Sequence, residues 1–80
     1  MSDIIRCVAI DDEPPALDVI EKFCRRTGGI DLRTFSDPAE GLEQIAASSP
    51  DIVFLDIEMD GISGIAIASQ LPRDTCFIFT

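Results

Sequence analysis

Six of the fifteen acidic residues in this 80-residue chain fall in two short segments, Asp11-Asp12-Glu13 and Asp56-Ile57-Glu58-Met59-Asp60. Each follows an apolar run, Ile4-Ile5-Arg6-Cys7-Val8-Ala9-Ile10 in the first case and Ile52-Val53-Phe54-Leu55 in the second. Without those six acids the formal charge of −9 shrinks to −3, so most of the excess negative charge belongs to two spots. Carboxylates gathered at one point repel and raise one another's pKa values. A divalent cation relieves that repulsion. Carboxylates with a backbone carbonyl and some water suit Mg²⁺, which prefers octahedral oxygen coordination. Magnesium also binds phosphate oxygens, which makes phosphoryl transfer the natural chemistry. The chain has no histidine, no Walker A loop and no GxGxxG, so the nucleophile would be an aspartate, able to take a phosphoryl group as an acyl phosphate. For any single acid here, the simpler reading is a charge attracted to the start of a helix. Two clusters, each directly after an apolar run, point instead to a shared site built from Asp11, Asp12 and Asp56. Glu13 and Asp60 read as solvated loop charges, and Glu58 as a contributor through its backbone carbonyl.

The elements that must position these residues are readable in outline. Residues 4–10 are apolar and rich in β-branched side chains, as in a buried strand. Pro14 and Pro15 suit a helix start. Leu17, Ile20, Phe23 and Cys24 recur at helical spacing over residues 16–26, and Gly28-Gly29 ends that helix. Residues 31–35 read as a short strand. Asp37 as N-cap, Pro38 as first helical residue and Glu40 as the returning carboxylate of a capping box open a second helix. Its core-facing residues are Leu42, Ile45 and Ala46, and it stops at Ser48-Ser49-Pro50. Residues 51–55 form a third strand and residues 58–63 a loop; Gly61 reads as a turn residue, and Gly64 as a turn residue or the start of the next helix. A short helix over 64–70, a turn at 71–74 and a last strand over 76–79 follow. Alternating strands and helices with continuous apolar strands indicate a parallel α/β sheet. If the chain winds one way for the second strand and the other way for the third and fourth, the order is 2-1-3-4. The first and third strands are then neighbours, and their acidic C-terminal ends meet where ligands gather in such sheets.

Composition narrows the alternatives. Net charge −9 disfavours nucleic-acid binding by this segment, which needs a basic footprint, and disfavours anionic membrane surfaces. The longest apolar run is seven residues interrupted by Arg6, too short for a membrane span or signal-peptide core. Cys7, Cys24 and Cys76 are odd in number and widely spaced, with no CxxC, so they read as small core residues of a cytoplasmic protein rather than zinc ligands or disulfides.

Val8-Ala9-Ile10-Asp11-Asp12-Glu13-Pro14 and Phe54-Leu55-Asp56-Ile57-Glu58-Met59, with Gly64 eight residues beyond Asp56, resemble the response-regulator receiver domain of two-component signalling. Asp-Asp-Glu-Pro and Asp-Ile-Glu-Met look most like receivers attached to LytTR-type DNA-binding domains. The resemblance implies a parallel, doubly wound, flavodoxin-like α/β fold. It makes Asp56 the phosphoryl acceptor, fed by a sensor histidine kinase. Asp12 becomes a direct Mg²⁺ ligand, Asp11 acts mainly through water, and the Glu58 backbone carbonyl completes the protein ligands. Thr80 stands at, or one residue before, the place of the switch hydroxyl. Asp60 replaces the proline usual after the methionine, adding charge beside the site. A receiver domain runs to ~120 residues, within the usual range for domains. Residues 1–80 therefore match its N-terminal two-thirds, without the fifth strand, the lysine that follows it, the last two helices or any output domain. An exposed last strand and an uncovered sheet face would then favour a homodimer. Two other readings remain open. One is an interaction module that binds Mg²⁺ and a partner without stable phosphorylation. The other is an aspartyl-nucleophile phosphatase of the haloacid dehalogenase class, which leaves Asp11 and Asp12 unexplained. The receiver reading makes the chain a phosphoryl acceptor in transcriptional signalling and not an enzyme.

Overall fold

The structure, a computed structural model, describes residues 3–59, 62–63, 66, 68–69 and 74–80. Strand β1 (Ile5–Ile10) leads through the first acidic turn into helix α1 (Pro14–Thr27), then β2 (Ile30–Phe35), α2 (Pro38–Ser48) and β3 (Ile52–Leu55). Two short strands, β4 (Glu58–Met59) and β5 (Ile62–Ser63), precede β6 (Cys76–Phe79). The main sheet has the order β2-β1-β3-β6 and all its pairings are parallel. Counting only its own strands, that is 2-1-3-4.

Local chemistry accounts for the helix limits. Pro14 occupies the first turn of α1, where its missing N–H costs nothing. Gly28, at φ 77°, turns the chain out of the helix and donates its N–H to Cys24 O at 3.1 Å. At α2 the Asp37 carboxylate accepts the Ala39 N–H at 3.0 Å. The capping box is half formed, since no bond from Glu40 returns to Asp37 among the described residues. Ser49 closes α2 in the left-handed region at φ 47°, donating to Ile45 O.

The core lies mainly between the sheet and α2. Val8 and Ile10 of β1, Val53 and Leu55 of β3 and Ile45 of α2 form one buried cluster, flanked by Phe35, Leu42 and Phe77. The alternate residues of β1, Cys7 and Ala9, are buried on the other face. That face belongs to α1, whose buried residues are Leu17 and Cys24.

Several expectations are corrected. Phe23 is 62% exposed, because Leu17, Ile20 and Cys24 already define the sheet-facing side of α1 and Phe23 lies about 100° round the helix from Cys24. Ala46 is exposed, while Gly41 beside Leu42 is buried. Cys76, expected in the core, is exposed near the start of the edge strand β6. Residues 58–63, expected as a loop, contain the antiparallel β4–β5 pair, Glu58 opposite Ser63 and Met59 opposite Ile62. The expected helix over 64–70 and turn over 71–74 lie largely outside the described residues, as do Asp60, Gly61 and Gly64.

Candidate metal and phosphoryl-acceptor site

Because β1 and β3 are adjacent and in register, with Ile10 opposite Leu55, the next residues of the two strands emerge side by side. These are Asp11 and Asp56. The Asp56 N–H donates to Ile10 O at 3.1 Å, and the Asp11 N–H to Phe35 O at 3.1 Å, so backbone bonds fix both turns to the sheet. Asp11, Asp12 and Asp56 each offer a carboxylate oxygen, and these oxygens lie within 4.8 Å of one another. Asp11 is buried, Asp56 half-buried and Asp12 exposed, so the cluster is anchored at its base and open to solvent at its rim.

The electrostatics agree with convergence. Burial pushes the Asp11 carboxyl above its ordinary pKa. The Glu13 N–H, donating to Asp11 Oδ1 at 2.9 Å, pulls the other way. The neighbouring Asp56 and Asp12 charges and a hydrogen bond with the Asp56 side chain add to the upward push. Glu13 stands at the N-cap of α1 without a side-chain capping bond. The first acidic turn is therefore organised by Asp11 around its own backbone, so capping of α1 by Glu13 does not explain the acids.

The donor set fits a hard divalent cation. A 2.1 Å octahedral metal–oxygen bond places adjacent ligand oxygens about 3.0 Å and opposite ones about 4.2 Å apart. Oxygens no more than 4.8 Å apart reach that geometry by closing at most about 1.8 Å for an adjacent pair and about 0.6 Å for an opposite pair. Glu58 opens β4 two residues beyond Asp56. Thr80 follows β6 and donates its N–H to Leu55 O at 3.0 Å, which sets it level with Asp56 at the same end of the sheet. Two contributors escaped the sequence reading: Ile10, whose carbonyl receives Asp56, and Gly41, which packs over Ile10. Glycine within a helical pattern was the available signal.

Fold and site together define a parallel α/β domain with an oxygen-donor cluster at its topological switch point. Residues 7–79 match the response regulator receiver domain, and the chain belongs to that family. It is 36% identical over 75 residues to an uncharacterized response regulatory protein of Vibrio vulnificus, covering 90% of this chain and 30% of the relative. It is 34% identical over 71 residues to the sensory transduction protein LytT of Bacillus cereus, covering 88% of this chain and 29% of LytT. The chain thus spans about 30% of the length of the curated relatives it matches. Among solved structures it resembles the response regulator TrrA, determined in complex with the histidine kinase ThkA. TM-score there is 0.82 at 29% identity, over 95% of this chain and 67% of the matched one. A mutant of the response regulator MaeR bound to sulfate shares the fold, with TM-score 0.86 at 17% identity over 96% of this chain and 66% of that one. Receiver domains are signalling modules of two-component systems, and transcriptional regulators are among the relatives.

Proposed function

We propose that the chain accepts a phosphoryl group on Asp56 from a phosphohistidine of a sensor kinase, with Mg²⁺ held beside it. The observation that carries this reading is the approach of the Asp11, Asp12 and Asp56 carboxylates to within 4.8 Å at the C-terminal ends of adjacent strands. In the proposed step an Asp56 carboxylate oxygen attacks phosphorus as the P–N bond breaks; its electron pair returns to the ring nitrogen, and the ring, protonated on its other nitrogen, leaves as neutral imidazole. Asp12 and Asp56 would hold the metal directly, the buried Asp11 through water, with the Glu58 carbonyl as the third direct protein ligand. Bound Mg²⁺ would neutralise charge on the phosphoryl oxygens. Similarity to TrrA, solved with a histidine kinase, supports a kinase as the phosphoryl donor. Thr80, level with Asp56, is proposed as the switch hydroxyl.

The remaining features of the proposal have separate supports. Coverage of 66 and 67% of the matched receiver structures supports reading residues 1–80 as the N-terminal two-thirds of a receiver unit whose output lies in another domain. The free cysteines suit a reducing cytoplasm. Strand β6 is an uncharged edge carrying Ile78 and Phe79 at 40% and 42% exposure, which supports pairing with a second copy. The low basic content leaves nucleic-acid contact to other segments.

The test is incubation with acetyl phosphate and Mg²⁺ followed by intact-mass measurement. A base-labile phosphoryl adduct that requires Mg²⁺ and is lost in Asp56→Asn is expected. Mg²⁺ binding without an adduct would favour a non-switching interaction module, and sustained phosphate release over many turnovers would favour a phosphatase.

A further inference from the structure

Ile10 links the two turns that carry the acids. Its carbonyl accepts the Asp56 N–H at 3.1 Å, and its own peptide continues directly into Asp11. Its side chain is 1% exposed and locked among Val8, Ile45, Val53 and Leu55. Above it lies Gly41, buried on the inner face of α2. A Cβ built on Gly41 would fall 2.6 Å from Ile10 Cγ1, nearer still to Cδ1, and 3.5 Å from Phe35 Cβ. The helix backbone therefore rests on the last residues of β1 and β2, whose carbonyls receive Asp56 and Asp11. Gly41 has no left-handed backbone to explain it, and glycine is a poor helix former. What it provides is room.

We propose that Gly41 is a positioning residue for the acidic site. It lets α2 close onto Ile10, and Ile10 in turn sets the separation of Asp11 and Asp56. The inference rests on the reading of those carboxylates as a Mg²⁺ site. An added methyl must displace the outer atoms of the Ile10 side chain or lift α2 from β1, and the residues packed around Ile10 pass part of that strain to the end of the strand. That displacement reaches Asp11 through the next peptide bond and Asp56 through the hydrogen bond to Ile10 O.

The experiment compares wild type, Gly41→Ala, Ile10→Val and the double variant by Mg²⁺ calorimetry and by backbone-amide NMR of the metal-free proteins. Gly41→Ala is expected to weaken Mg²⁺ binding about tenfold, the low end of losses seen when groups supporting metal ligands are changed. Its Asp11 and Asp56 amide signals should shift more than those of Gly28 and Gly29 at the far end of the sheet. The double variant removes Cδ1, the nearer of the two clashing atoms, but keeps Cγ1 at 2.6 Å, so affinity and signals should recover in part toward wild type. Ile45→Val, which trims the same core without adding an atom over Ile10, should keep wild-type affinity. Unchanged affinity in Gly41→Ala, no recovery in the double variant, or an equal loss in Ile45→Val would each overturn the inference. Should Gly41→Ala fail to fold, the double variant stands in for it, and its Mg²⁺ affinity must fall below that of Ile10→Val, because the contact with Cγ1 remains. A wild type that binds no Mg²⁺ refutes the metal reading instead; the amide shifts then decide the role of Gly41.

Discussion

Replacing Asp11 with asparagine should stabilise the metal-free protein. The substitution keeps an oxygen to accept the Glu13 N–H and removes the charge that burial disfavours. Two unit charges at the outer separation of 4.8 Å repel by about 3.5 kcal/mol at an effective dielectric of about 20, and by about 0.9 kcal/mol in water. Asp12 is exposed and Asp56 half-buried, so the pairwise terms fall between these limits. At pH 7 in EDTA, Asp11→Asn should therefore gain about 1–3 kcal/mol in urea denaturation, with Tm rising about 4–8 °C per kcal/mol for a domain of this size. The sign has a pH signature. Folding raises the Asp11 pKa, so the protonated carboxyl favours the folded state. Its contribution is complete below the ordinary aspartate value near 3.9 and is lost as pH rises through the raised value. The advantage of Asp11→Asn should accordingly be small in acid and grow toward neutrality. Magnesium should reverse the ranking. Wild type gains about 2.7 kcal/mol when Mg²⁺ is at 100 times its Kd, and the variant gains much less. A less stable Asp11→Asn in EDTA, or equal gains from Mg²⁺ in both proteins, would refute this electrostatic account.

Ellman's reagent at pH 8 should label the exposed Cys76 rapidly and the buried Cys7 and Cys24 slowly, with all three reacting after denaturation; simultaneous reaction of all three in the native protein would contradict the burial. The Cys7 thiol is pushed up to about 11, first by burial and then by the charges of Cys24, Asp51 and Asp31. Its contribution is full below about pH 9 and fades as pH rises through about 11, which is worth about 2–3 kcal/mol in alkaline denaturation curves. Sedimentation of the 80-residue chain should show a dimer fraction that rises with concentration and falls when Ile78→Lys charges the β6 edge. A monomer at every concentration would count against pairing through that edge.

The parallel sheet and the convergence of Asp11, Asp12 and Asp56 at its end were legible because both rest on long-range regularities in the chain. Apolar runs ending in aspartate marked β1 and β3, and winding in both directions placed those strands side by side. What escaped depends on neighbours that local patterns do not specify. Phe23 fits the apolar spacing of α1, yet the narrow contact with the sheet is filled by Leu17, Ile20 and Cys24. The β4–β5 pair has two residues per strand, too few for alternation to register. Asp37 announced the start of α2, but the reciprocal bond from Glu40 depends on a rotamer, and it is not made among the described residues. Gly41 looked like a weak point in a helix; only the position of Ile10 gives it a purpose.

The meeting of the two acidic turns at one cation is tested most directly by NMR with Mn²⁺, an octahedral oxygen-seeking stand-in for Mg²⁺. Substoichiometric Mn²⁺ should broaden the amides of Asp11, Asp12, Asp56 and Ile57 before any others, and excess Mg²⁺ should restore them. Broadening of only one of the two turns, or broadening spread evenly over all the acidic residues, would contradict a shared site.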